Sequence, residues 1–257
     1  MITIGNYVKA ESLQQAWELN QKKSSRILGG MLWLKQSRHR VGTAIDLSGL
    51  GLDTIEETEQ AFSIGAMVTL RQLELHESLH AFSNGAVKAA VESIVGVQFR
   101  NMATVGGSLW GRFGFSDVLS VFLALDSHVE LYKGGVIPLR DFAAMGYDRD
   151  ILVRLIVKKT PVKCLYQSVR ITKTDFPALT CAAAKTDSGW RFVYGARPGR
   201  AVVLEEPFGI SPDELAARAA EKVPVGSNMR GSAAYRRKLV QTLTRRAAET
   251  LGGAEIC

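Results

Sequence analysis

Two Gly-Gly pairs each close a short strand-like stretch: Gly29-Gly30 follows "SRIL", and Gly106-Gly107 follows "NMATV". A pair in that place means that something approaches the main chain too closely to leave room for a Cβ. The neighbour is either the protein's own backbone in a turn or a ligand. Adjacent glycines permit positive φ, and successive N–H groups in such a turn form a concave anion site. Two such loops suit the two halves of a pyrophosphate, or one phosphate and a ring edge. Thr104 and Ser108 flank the second pair as hydroxyl donors, and Asp117, ten residues beyond it, is an acceptor suited to a ribose hydroxyl or an exocyclic amine. Leu28, Met31, Leu32 and Trp33 around the first pair are apolar cover for a flat ring system. An ordinary turn is the competing explanation for each pair, and Gly134-Gly135 reads as a hairpin turn. Neither pair has the spacing of a GxxxxGK or GxGxxG loop. From the residues alone, a nucleotide site and a pair of plain turns both stay open.

The periodicity around these loops is mixed. Ser12 caps a helix that carries Leu13, Ala16, Trp17 and Leu19 near one face. A buried strand is expected over 42–50, then strand, turn, strand and a helix from about Leu70. Helices follow over 86–94 and 116–127, the latter capped by Ser116 or Asp117, then a hairpin and a strand over 150–159. The pattern changes near 158–163. Three strand candidates begin at Cys164, Ala178 and Gly189; "AVVLEE" follows, then a helix opened by Ser211-Pro212 with Glu214 three residues after the cap. In the final helix Tyr235, Leu239, Leu243, Ala247 and Leu251 recur every four residues as a core stripe. Strands and helices in mixed order indicate an α+β protein in two domains.

The net charge of +7 narrows the partners. Residues 230–251 hold six Arg or Lys against one Glu, a solvated helix face or an interface with a partner subunit. No zinc-finger or RNA-binding motif accompanies them, which speaks against nucleic acid. Cys164, Cys181 and Cys257 show no CxxC and no metal spacing, which fits a reducing, cytoplasmic compartment and no iron–sulfur cluster within this chain. No apolar run is long enough for a membrane span, and no signal peptide is expected at the N-terminus. His39, His76, His80 and His128 have no recognisable catalytic partner, so no acid–base residue is nominated.

The segment "VGVQFRNMATVGGSLWGRFGFSDVLSVFLALDSHVEL" (95–131) resembles the second flavin motif of the FAD subunits of molybdenum hydroxylases, the medium chains of carbon monoxide, xanthine and aldehyde dehydrogenases. The family pattern there runs R-N-x-A-T-x-G-G-N, then S-D and an apolar helix. "SRILGGMLWL" resembles the family's first flavin loop, and "GSAAYRRKLVQTLTRRA" its closing helix. The resemblance spans nearly the whole chain with the motifs in order. It implies an α+β fold with an N-terminal FAD-binding domain of the vanillyl-alcohol-oxidase type over 1–160, in two pieces, 1–55 and 56–160. A small C-terminal α+β domain over 161–257, a three-stranded sheet with helices, would follow. It places the flavin nucleotide against Leu28, Gly29, Gly30, Met31, Leu32, Trp33 and Leu34, against Thr104, Val105, Gly106, Gly107 and Ser108, and at Asp117 and Leu152. FAD would be bound without a covalent link, since no His or Cys stands beside either loop. The implied function is an electron-transfer subunit of an oxidoreductase, taking electrons from 2Fe-2S clusters on an iron–sulfur subunit and passing them to NAD+ or another acceptor. A molybdopterin-binding subunit would carry the molybdenum cofactor. Three positions depart from the family: Ser108 stands for its Asn, Gly114-Phe115 for a Pro before the S-D pair, and Tyr166 for a strand Lys. A non-catalytic scaffold subunit with a degenerate flavin site and a stand-alone flavin oxidase are the alternatives.

Overall fold

The computed structural model describes residues 2–253; Cys257 lies outside them. The strands are β1 (Thr3–Lys9), β2 (Ser25–Leu28), β3 (Arg40–Asp46), β4 (Ile55–Glu57), β5 (Ala61–Gly65), β6 (Ser127–Leu131), β7 (Gly135–Pro138), β8 (Leu152–Lys158), β9 (Lys163–Arg170), β10 (Pro177–Lys185), β11 (Trp190–Gly195) and β12 (Val202–Glu206). The helices are α1 (Leu13–Asn20), α2 (Leu70–Leu75), α3 (Glu77–Phe82), α4 (Ala86–Val91), α5 (Val97–Arg100), α6 (Val105–Trp110), α7 (Asp117–Ala124), α8 (Leu139–Ala144), α9 (Pro212–Lys222) and α10 (Ala233–Gly252). They form two compact units. The first takes residues up to 72, 97–111 and 127–157; the second takes 73–96, 112–126 and everything from 158 onward. Composition does not signal this interleaving.

The first unit holds two sheets. One is parallel, in the order β1-β3-β2. Helix α1 crosses over it, with Ser12 Oγ accepting from Gln15 N at 3.1 Å as its cap. Its Leu13, Ala16, Trp17 and Leu19 pack into the cluster of Ile45, Leu47, Ile151 and Val153, as their spacing requires. Strand β1 is absent from the sequence expectations for a physical reason: both of its faces are largely exposed, so "TIGNYVK" shows no period-2 contrast, and it exists by pairing with β3. The second sheet runs β4-β5-β8-β6-β7, and its β6–β7 hairpin turns through Gly135 at φ +68°.

The second unit is built on an antiparallel sheet in the order β12-β11-β10-β9. It has four strands where three were expected: "AVVLEE" pairs along β11, with Val202 opposite Tyr194 and Glu206 opposite Trp190. Leu179, Cys181 and Ala183 on one face of β10 meet α9 and α10 through Leu215, Ala219, Val240, Leu243 and Ala247. The alternate residues Ala178, Thr180 and Ala182 face the other way, the side on which α7 packs.

Two expectations for α10 are corrected. Tyr235 is exposed and Arg236 is fully buried in its place. Each four-residue step overshoots a full turn by about 40°, so a strict every-fourth stripe drifts off the core. The buried face is instead Arg236, Val240, Leu243, Thr244, Ala247, Ala248 and Leu251. The guanidinium of Arg236 tolerates burial because every nitrogen has an acceptor: Nε donates to the Ala178 and Ala196 carbonyls, NH1 to those of Gly226 and Gly231, and NH2 to Asn228 Oδ1.

Candidate functional site

The two glycine pairs meet within the first unit. Strand β2 ends at Leu28, and the chain turns through Gly29 and Gly30 into a short 3-10 turn at Leu34–Gln36. The second pair lies in the first turn of α6, capped by Thr104, whose Oγ1 accepts from Gly107 N at 3.1 Å. A Cβ on Gly29 would stand 2.8 Å from Thr104 Oγ1 and 3.7 Å from the Gly107 Cα, and one on Gly30 would collide with the Met102 carbonyl. A Cβ on Gly106 would come within 2.7 Å of the Ala66 carbonyl oxygen. Close approach is therefore the reason for these glycines. Positive φ is not: none of the four adopts it, and the left-handed residue of the first loop is Met31, at φ +58°.

Gly107 differs from the other three. It is exposed, and a Cβ there would meet only Thr104 Oγ1, at 3.1 Å. The protein's own packing gives little cause for a glycine at this position.

The amides of the two loops are used differently. In the second loop all are taken: Val105 N donates to Val68 O, Gly106 N to Ala66 O, Gly107 N to Thr104 Oγ1 and Ser108 N to Thr104 O. The Ser108 hydroxyl also donates to Thr104 O, at 2.8 Å. In the first loop, among the described residues, the amides of Gly29, Gly30, Met31 and Leu32 have no protein acceptor. Four successive unpaired N–H groups thus begin at Gly29, the neighbour of the exposed Gly107, and unpaired main-chain N–H groups suit an anion.

The apolar residues of the first loop are also divided. Leu28 is buried with Val41 and Ala44, and Met31 and Leu34 pack onto that cluster. Trp33 is the large side chain left facing out, 48% exposed. Leu152 opens β8 and is buried, opposite Leu131 at a register irregularity. Its neighbour Val153 accepts from Ala66 N, and Ala66 O accepts from Gly106 N, so two hydrogen bonds link β8 to the second pair.

Asp117 belongs to the second unit. It is the first residue of α7, capped by Ser116 Oγ. Its Oδ1 accepts from both the Tyr166 hydroxyl and Arg170 NH2. Burial pushes the Asp117 carboxyl up, against the opposing pull of the Arg170 charge and the Tyr166 hydrogen bond. Burial and the adjacent carboxylate push the Tyr166 phenol well up, so it stays a neutral donor. Sequence reasoning missed this cluster. Its one legible signal is that Tyr166 and Arg170, four apart on a strand, share a face.

Among the described residues no group of His, Cys, Asp and Glu is arranged to hold a metal ion, and no helix is long and apolar enough to cross a membrane. Cys164 and Cys181 are buried in the four-stranded sheet. His76 has a structural use, its Nδ1 accepting from Leu79 N to cap α3.

Known proteins resemble the chain over most of its length. Residues 3–160 match the family model described as the FAD binding domain in molybdopterin dehydrogenase. The uncharacterized protein YgfM of Escherichia coli strain K12 is 27% identical over 247 residues, 93% of each chain. The glyceraldehyde dehydrogenase medium chain of Sulfolobus acidocaldarius is 27% identical over 278 residues, 94% of this chain and 96% of the relative. Among solved structures, carbon monoxide dehydrogenase from Oligotropha carboxidovorans superposes with a TM-score of 0.84 at 21% identity, covering 97% of this chain and 96% of that one. Quinoline 2-oxidoreductase from Pseudomonas putida 86 gives 0.83 at 19%, with 97% and 96% covered.

Proposed function

The chain belongs to the family of FAD-binding domains of molybdopterin dehydrogenases, and from that premise we propose that it is the flavin-carrying electron-transfer subunit of a multi-subunit molybdenum hydroxylase. The observation that carries the proposal is the run of unpaired amides from Gly29 to Leu32 beside the bare, exposed Gly107. A diphosphate needs hydrogen-bond donors and an approach free of side chains, and both are present in one place. FAD, when bound, supplies a centre that exchanges electrons singly or in pairs.

The chain's own residues bind and orient. The amides of residues 29–32 donate to phosphate oxygens, and Gly107 leaves space for them. Thr104 holds the first turn of α6 in place by capping it. Leu28, Met31 and Leu34 anchor the first loop to the sheet, so its amides are fixed before ligand arrives. Attachment is non-covalent: Cys164 and Cys181 sit in another sheet, and neither loop carries a His or Cys.

The finer parts of the proposal follow the family. The FAD-binding domain takes residues 1–160 and the C-terminal domain 161–257. The partners are an iron–sulfur subunit with 2Fe-2S clusters and a subunit with the molybdenum cofactor. NAD+ is the electron acceptor, and the complex works in the cytoplasm.

Titrating the purified chain with FAD tests the central claim. One FAD per chain is expected, seen as flavin absorbance that stays with the protein on ultrafiltration. A folded chain that retains none at any FAD concentration refutes it. Anaerobic addition of NADH to the loaded chain is expected to bleach the flavin absorbance, and an unchanged spectrum removes NAD+ as acceptor.

A further inference from the structure

Three loops of the second unit carry large side chains that its core leaves in solvent. The loop before α7 contributes Phe113 and Phe115, the loop between β9 and β10 contributes Phe176, and the loop before α10 contributes Met229 and Arg230. They join into one row. The rings of Phe113 and Phe115 stack at 5.1 Å, Phe115 meets Phe176 edge-on at 4.9 Å, and the Arg230 guanidinium lies 5.0 Å over the Phe176 ring. Phe113 and Phe176 are 38% and 36% exposed, and Met229, beside Arg230, is 90% exposed. A lone exposed hydrophobe is ordinary on a protein surface. A contiguous row of Phe, Met and Arg has the composition of a protein–protein contact.

The row is also held in place. Met229 and Arg230 are the two residues of a turn closed by reciprocal bonds between Asn228 and Gly231, each 3.1 Å. The buried Arg236 fastens that turn through Asn228 Oδ1 and the Gly231 carbonyl. Arg230 pairs with Asp175 at 3.4 Å, and Asp175 Oδ1 accepts from Phe176 N at 2.7 Å. A charge buried as fully as Arg236 is a costly way to fix a turn whose tip stands in solvent. The return is that side chains fixed before contact lose little freedom on binding.

Charge selects the occupant. Residues 171–176, 197–200 and 228–230 include four basic residues, Lys173, Arg197, Arg200 and Arg230, against one acid, Asp175, which Arg230 already neutralises. Arg200 adjoins the row at Gly114, where a Cβ would stand 3.4 Å from the Arg200 Cα. A second copy of this chain would set basic against basic, which disfavours it as the partner. We propose that this row is the docking surface for another subunit of the complex proposed above, one that presents an apolar recess rimmed by aspartate and glutamate. The inference rests on that reading of the chain as one subunit among several. Met229 and the phenylalanines enter the recess, and Lys173, Arg200 and Arg230 face its acidic rim.

The test starts from the complex purified from its native cell through a tag on the full chain. A carbodiimide, which joins an amine directly to a carboxylate, is expected to link Lys173 to an Asp or Glu of a partner subunit, as read by mass spectrometry. Stripping the partner with salt and titrating it back onto this chain gives the Kd. Met229→Asp should raise it roughly thirtyfold, the loss of one central anchor. Tm and FAD content should not change, because nearly all of Met229 is in solvent. Lys173→Glu should raise the Kd less and flatten its dependence on salt. Wild-type affinity in Met229→Asp overturns the proposal, as do Lys173 links that are absent or reach only a second copy of this chain. So does loss of FAD from Met229→Asp, which would assign the row to the flavin. A wild-type chain that holds FAD but brings no other subunit sinks the docking surface and leaves the flavin site standing. A wild-type chain that holds no FAD removes the proposed function itself.

Discussion

Replacing Gly107 and Gly106 by alanine, one at a time, separates a glycine kept for a ligand from one kept for packing. The two are adjacent in the same helical turn, and the perturbation is one methyl in each case. At Gly106 the new Cβ would lie 2.7 Å from the Ala66 carbonyl oxygen and 2.8 Å from the Ala66 Cβ. Both are main-chain or near-main-chain atoms that cannot swing aside, so α6 must move away from Ala66. Such overpacking costs about 1–3 kcal/mol, which for a chain of this size lowers Tm by roughly 2–12 °C. At Gly107 the methyl would meet only Thr104 Oγ1, at 3.1 Å, a few tenths of an ångström too close. Alanine also favours the helix over glycine by up to ~1 kcal/mol, so Tm should stay within about 3 °C of the wild type.

The order reverses for the ligand. Gly29 and Gly107 are neighbours, so in the proposed binding mode a phosphate held by the amides of residues 29–32 would pass over Gly107. A methyl there displaces it from at least one charged hydrogen bond, about 1.5–3 kcal/mol, or roughly a 10- to 150-fold weaker Kd for FAD. Gly107→Val, branched at Cβ, should abolish retention. Differential scanning calorimetry and FAD titration read the two effects separately. Full FAD affinity in Gly107→Ala would mean that the gap at residue 107 is not the ligand's, and an unchanged Tm in Gly106→Ala would mean that the approach to Ala66 is not tight.

Arg236→Met should lower stability by about 3 kcal/mol or more, since its buried carbonyl acceptors lose their donors, seen as a Tm drop of roughly 6–12 °C. The Glu206 carboxyl opposes its own burial through Lys222 and Arg218, which hold it below the usual glutamate value. Its folded value is depressed, so the stability it adds is complete above about pH 4.3 and is lost as pH falls through the folded value. Thermal melts across that range should show a steeper acid-side fall for the wild type than for Glu206→Gln, and equal slopes would remove the pair from the acid response. Burial pushes the Cys164 thiol up to about 12 and Cys181 higher still; neither should react with a thiol reagent near pH 8 until denaturant is added, as counting labelled peptides will show.

Local rules made much of the fold legible. Ser12, Ser116 and Ser211 each cap the helix that follows, because a side-chain oxygen before an apolar-periodic stretch has one favourable use. The hairpin at Gly134-Gly135 follows equally from turn chemistry. What stayed hidden depends on partners far along the chain. Strand β1 pairs with β3, more than thirty residues on, and shows no face of its own. Arg236, in a stretch that reads as a solvated basic face, is buried because carbonyls of β10 and of loops converge on it. Asp117 was visible as a motif residue, but its partners Tyr166 and Arg170 lie 49 and 53 positions away.

The glycine pairs show where reading a site from sequence has to stop. A missing Cβ says that space is short and does not say what fills it. Three of the four glycines are accounted for by the protein itself: Gly29 by Thr104 and Gly107, Gly30 by the Met102 carbonyl, and Gly106 by Ala66. The second pair's amides, equally plausible donors on paper, are all consumed by α6 and its neighbours. The residues left over are the exposed Gly107 and the unpaired amides of 29–32, and only the hydrogen-bond inventory separates them from the rest. A buried or half-buried polar group without a partner costs free energy, and so does a glycine where alanine would fit. Both costs fall on the two adjoining loops, and a bound anion would offset the cost of the unpaired amides and explain the glycine.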